Sequence, residues 1–281
     1  MADNLKKENW TSIGASETSP IDNKARKEVK TKLPVCWIED HEKEISVNPT
    51  GRYSESYNII GVSNNLNVGQ RKFKIYVPLK TKTEITVEVS FKVTSKLTPT
   101  GTESEKAAAI TTALASAKTA FEKGVGANWN KKFKLEISDP VCGKKIFDIV
   151  YKVVWVTSGE NFTINVHKAY PREGVTGLVM DVSDTTTEWV YAHEFGHCIG
   201  LPDEYSYTTD IETVKYYKPN GILDVAISAP PDGKVATDAD ATIMAAYDSL
   251  KTLPRHAWNI AIEVQDLLAS KVGRKITCNI L

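Results

Sequence analysis

The chain has 281 residues, 41% apolar and 25% charged, which suits a globular protein that buries its own core without covalent staples. Thirty-five basic residues offset thirty-five acidic ones, so charge gives no reason to expect nucleic acid or an anionic membrane as partner. No apolar run approaches the ~20 residues that span a bilayer. The opening MADNLKKENWTSIGASETSP lacks the apolar core of a Sec signal peptide, so export by that route is not expected. Cys36, Cys142, Cys198 and Cys278 form no CxxC pair. They are expected to be buried free thiols, and any disulfide is expected to exclude Cys198.

In chain order, residues 1–30 are polar and mixed in charge, the composition of a flexible leader. Residues 31–68 have no clear periodicity and are expected to form an irregular extension packed on a main domain of residues 69–281. Phe73, Ile75, Val77 and Leu79 alternate with other residues, as do Ile85, Val87, Val89, Phe91 and Val93. That period of two predicts two half-buried strands joined as a hairpin. Thr102 and Glu105 have the spacing of a capping box, and Ile110, Leu114, Ala117 and Phe121 then recur at helical spacing as far as Gly124. Lys132–Ser138, Lys145–Val156 and Phe162–Tyr170 are rich in β-branched and aromatic residues, which predicts three further strands. A late amphipathic helix is predicted from Leu253 to Ser270, with Pro254 in its first turn. The order of strands, long helix, strands and late helix reads as one α+β or α/β domain.

The chemistry concentrates in HEFGHCIGLPDEY, residues 193–205. A helix places residues four apart on one face, so His193 and His197 can present two imidazoles to one ion. Zinc suits neutral imidazole, and a catalytic zinc keeps one position for water. Glu194 lies beside that shell, where a carboxylate can take a proton from the activated water. Gly200 allows a sharp turn after the helix. Asp203, ten residues after His193, is the expected third ligand, with Glu204 as its competitor.

With His193, Glu194, His197, Gly200 and Asp203 in register, the chain resembles the metzincin clan of zinc peptidases, with aspartate in place of the third histidine. The resemblance implies an upper subdomain of about residues 69–200, with a twisted mixed sheet, a long helix and an active-site helix. It also implies a smaller, irregular lower subdomain of about residues 201–281. It further implies a methionine turn under the metal, for which Met244 is placed, and a substrate strand along an exposed edge strand, with FTINVHKAY or GLVMDVS as candidates. In several members a tyrosine two residues after that methionine assists catalysis. Tyr247 lies three residues on, so His256 and Tyr205 stand beside it as candidate donors to the reacting carbonyl. His167 is read as incidental.

The same stretch, followed by the Met244 segment and PRHAW, is similar to metallopeptidase effector domains of bacterial type VI secretion. That likeness implies an antibacterial toxin, cytoplasmic before export and acting in a target cell's periplasm, with an immunity protein and a secretion spike protein as partners. The leading expectation is therefore a zinc endopeptidase of one catalytic ion acting on a protein or peptide. A zinc peptidoglycan amidase and a non-catalytic zinc-stabilised binding domain are the alternatives.

Overall fold

A computed structural model describes residues 37, 39–47, 62–63, 71–80, 82–206, 209–231, 241–245 and 248–281. Tyr247, the leader and most of residues 48–70 lie outside that set.

The first strands are β1 (His41–Val47), β2 (Val62–Ser63), β3 (Arg71–Val77) and β4 (Glu84–Ser95), followed by the helix α1 (Glu103–Asn128). Next come β5 (Lys134–Asp139), β6 (Gly143–Trp155), β7 (Phe162–His167), β8 (Gly174–Thr176) and β9 (Val179–Ser183). The motif helix α2 (Glu188–Cys198) precedes β10 (Glu212–Tyr217) and β11 (Leu223–Ala229), and a 3-10 turn (Pro254–Ala257) leads into α3 (Trp258–Val272) and β12 (Thr277–Ile280). The protein is thus a mixed α/β fold, with three α-helices among the described residues.

Nine strands form one mixed sheet in the order β12-β5-β6-β4-β7-β9-β8, with β1 and β3 joined through β4. The long strand β4 pairs in parallel with both β6 and β7, while the expected β3–β4 hairpin pairs antiparallel over Lys74–Tyr76. Alternate residues of β3 and β4 are buried, as the period of two requires. Three strands, β11, β10 and β2, make a second small sheet that no sequence pattern indicates.

Aromatic side chains lock α1 and α2 onto the main sheet. The rings of Phe91 on β4 and Phe121 on α1 meet edge to face at 4.7 Å, and Phe121 meets Tyr191 on α2 at 5.2 Å. Phe195 of α2 packs on Tyr151 of β6 at 5.9 Å. The capping box of α1 forms as expected: Thr102 and Glu105 exchange hydrogen bonds. Gly124 does not end this helix, however, which runs on to Asn128. A Cβ at Gly124 would lie 2.1 Å from the carbonyl oxygen of Glu188, so the glycine is there for a helix crossing.

The two candidate substrate strands fall inside the sheet. Phe162–His167 is flanked by β4 and β9, and Val179–Ser183 by β7 and β8. On that side of the sheet the edge is the three-residue strand β8, too short to stand out by periodicity. The cysteines also differ from expectation, because Cys142 is disulfide-bonded. Cys198 and Cys278 are free and buried, so Cys198 is outside the bond as expected.

Candidate metal centre

Helix α2 is capped by Thr187, whose side chain accepts the Val190 N–H, and its end is tied by Leu201 N–H to Gly196 O at 3.0 Å. Gly200 has φ +98, and a Cβ there would meet the Arg71 side chain at 2.7 Å. Only glycine suits this turn, and it returns the chain so that Asp203 faces the helix it has just left. Trp129, which caps the C-terminus of α1, donates Nε1–H to Ala192 O at 2.8 Å, holding the site helix from behind.

Both motif histidines are oriented by main-chain carbonyls. His193 Nδ1 bonds Ile243 O at 2.7 Å, and His197 Nδ1 bonds Leu201 O at 2.8 Å. A carbonyl oxygen only accepts, so each Nδ1 carries a hydrogen, and each Nε2, when it holds no proton, directs a lone pair inward. The two Nε2 atoms are 3.3 Å apart, and Asp203 Oδ1 is 3.1 Å from His193 Nε2 and 3.3 Å from His197 Nε2. Three electron-rich atoms this close repel unless positive charge lies among them. A tetrahedral ion with bonds of about 2.0–2.1 Å has ligand–ligand edges of roughly 3.3 Å. The spacing fits a small metal ion, and His193, His197 and Asp203 form the one group of this kind among the described residues.

The electrostatics agree with the geometry. Burial by itself would lower both imidazoles, but Asp203 and Glu194 outweigh it, raising His193 and pushing His197 up to about 10. Burial would likewise raise the Asp203 carboxyl, yet the two imidazoles hold it well below the usual carboxylate range. The carboxylates therefore favour positive charge at this spot, whether protons on the imidazoles or a metal ion.

Glu194 stands outside the ligand group. Burial raises its carboxyl above the ordinary value, and its Oε2 accepts the Val175 N–H of β8 at 2.9 Å. Val175 thus gives its N–H to the glutamate, so β8, the last strand on this side of the sheet, lies against Glu194. Trp189, one turn before His193, stacks on that imidazole at 5.3 Å and fixes its own Nε1–H on Ser249 O at 2.7 Å. Met244 is fully buried beneath the helix, its sulfur against Gly196, where a Cβ would approach it to 2.6 Å.

The other candidates are placed elsewhere. Glu204 does not join the ligand group: it accepts from Tyr216, Thr242, Arg255 and His256 in a neighbouring buried cluster. His256, fully buried, uses Nε2 on Glu204 and Nδ1 on the Leu253 N–H, so both ring nitrogens serve structure. Tyr205 is half-buried two residues past Asp203, and Tyr247 lies outside the described residues. His167 pairs with Asp181 at 2.7 Å and is not part of the His193, His197 and Asp203 group. Burial raises the Cys198 thiol well above its ordinary value, which leaves it inert within the site helix.

Sequence reasoning misses Ile243 O and Val175 N–H, because main-chain groups carry no residue-type signal. Trp189 reads in the sequence only as part of the helix's apolar pattern. No protein-family model, curated protein or solved structure matches the chain.

Proposed function

We propose that the protein is a zinc-dependent endopeptidase in which His193, His197 and Asp203 hold the ion and Glu194 is the general base. The observation that carries this reading is the triangle of Nε2, Nε2 and Oδ1 atoms with edges of 3.1–3.3 Å, beside a buried carboxylate that is not part of it. A structural site has no use for such a base, which weighs against a purely zinc-stabilised binding domain.

When bound, the ion supplies a Lewis acid and lowers the pKa of coordinated water toward neutrality. Glu194 takes a proton from the attacking water as the water oxygen bonds to the carbonyl carbon. It gives that proton to the departing amine nitrogen as the carbon–nitrogen bond breaks. The Val175 N–H holds one oxygen of Glu194 and so aims the other. A substrate main chain laid beside β8, the last strand on this side of the sheet, passes Glu194, which favours an extended peptide over a compact ligand. The disulfide at Cys142 favours an oxidising compartment, which supports action outside the cytoplasm, as an exported antibacterial toxin requires.

The test is Glu194→Gln. Peptidase activity on denatured casein is expected to vanish while zinc stays near one per chain. A variant hydrolysing at close to the wild-type rate refutes the assignment. Purified sacculi as a parallel substrate, with products read by mass spectrometry, separate peptidase from amidase.

A further inference from the structure

Residues 201–205, which carry Asp203, belong to no helix or strand, so no ladder of main-chain hydrogen bonds holds the third ligand in place. The neighbouring Glu204 does what a ladder would. Its side chain is 0% exposed and accepts from Tyr216 Oη at 2.9 Å, Thr242 Oγ1 at 2.6 Å and Arg255 Nε and Nη2 at 2.8 and 2.9 Å. His256 Nε2 adds a donor at 3.2 Å, and the Glu204 N–H is given to Met244 O at 2.8 Å. One carboxylate thus joins β10, the 241–245 segment and the turn before α3.

The 241–245 segment also orients a second ligand. Thr242, bonded to Glu204, immediately precedes Ile243, whose carbonyl takes the His193 Nδ1–H at 2.7 Å. The Thr242 hydroxyl also receives the Met244 N–H at 3.2 Å, so Ile243 is clamped on both sides. Glu204 therefore bears on Asp203 through the chain and on His193 through Thr242 and Ile243.

We propose that Glu204 is a positioning residue whose carboxylate sets the placement of two of the three metal ligands, and so sets metal affinity. The inference rests on the metal-centre reading above. Glu204 is not one of the three grouped ligands and acts through the segments it joins. Loss of groups that orient ligands typically weakens metal binding by about 10–100-fold.

The experiment measures zinc dissociation constants by competition with a chromophoric chelator, on the full chain, at a temperature where circular dichroism shows each variant folded. Glu204→Gln is expected to bind zinc about 10–100-fold more weakly than wild type. Thr242→Val, which removes one hydroxyl and keeps the side-chain shape, is expected to bind about 3–10-fold more weakly. Asp139→Asn breaks an ion pair at the far edge of the sheet and is expected to lower the melting temperature with zinc affinity unchanged. A folded Glu204→Gln with wild-type affinity overturns the inference and leaves the metal centre standing. If Glu204→Gln does not fold, wild-type affinity in Thr242→Val overturns it instead. A wild-type chain that takes up no zinc overturns both.

Discussion

Two glycines in α1, two residues apart, should respond oppositely to the same substitution. A Cβ at Gly126 finds its nearest neighbour, the side chain of Asn130, at 4.0 Å, whereas one at Gly124 would sit 2.1 Å from the Glu188 carbonyl oxygen. Real Cβ contacts essentially never fall below 3.0 Å, so α1 and α2 must part by roughly an ångström to admit a methyl group there, since the obstacle is main chain. Gly126→Ala should gain the propensity difference, up to about 1 kcal/mol. Gly124→Ala gains as much but loses about 3 kcal/mol at the upper end of overpacking, for a net loss of about 2 kcal/mol. The two variants should then differ by about 3 kcal/mol, or about 5 °C in melting temperature for a chain of this size. Thermal unfolding followed by circular dichroism measures the gap. The shift should also weaken zinc binding in Gly124→Ala, because α2 carries His193 and His197 while Asp203 and Ile243 stay behind. Gly124→Ala melting at or above Gly126→Ala refutes the crossing geometry and the claim that α1 braces the site helix.

His197→Ala removes one corner of the ligand triangle. Its melting temperature should no longer respond to chelator or added zinc, whereas the wild type should drop on chelation and recover on zinc addition; calorimetry scans with and without chelator settle this. Asp139 gives a pH signature: burial would raise its carboxyl, but Arg274 and the N–H groups of Val141 and Cys142 outweigh it and hold the carboxyl below its ordinary value. A depressed folded value stabilises above the unfolded carboxyl pKa of about 3.9 and is lost as pH falls through the folded value. The wild-type advantage over Asp139→Asn in denaturant unfolding should accordingly be full at pH ~6 and shrink below about pH 4; an advantage that grows on acidification contradicts the pairing.

The local features of this protein are written in its sequence. The period of two in β3 and β4, the Thr102–Glu105 cap and the four-residue spacing of His193 and His197 rest on contacts within a few residues, so residue type and spacing suffice to read them. The grouping of Asp203 with the histidines is legible for the same reason, since only Gly200 and a short turn separate them.

What the sequence leaves open depends on segments brought together from far apart. Asp203 and Glu204 are adjacent carboxylates that residue type cannot tell apart. They divide because one meets two imidazoles, while the other meets donors from residues 216, 242, 255 and 256. Gly124 looks like a helix end because glycine is a poor helix former, and only the crossing with Glu188 explains it. The strand next to Glu194 could not be chosen from pattern either: an edge is a property of sheet order, and the same apolar alternation serves an interior strand such as β7. Spacing along the chain set which groups could act together, and long-range packing decided which of them do.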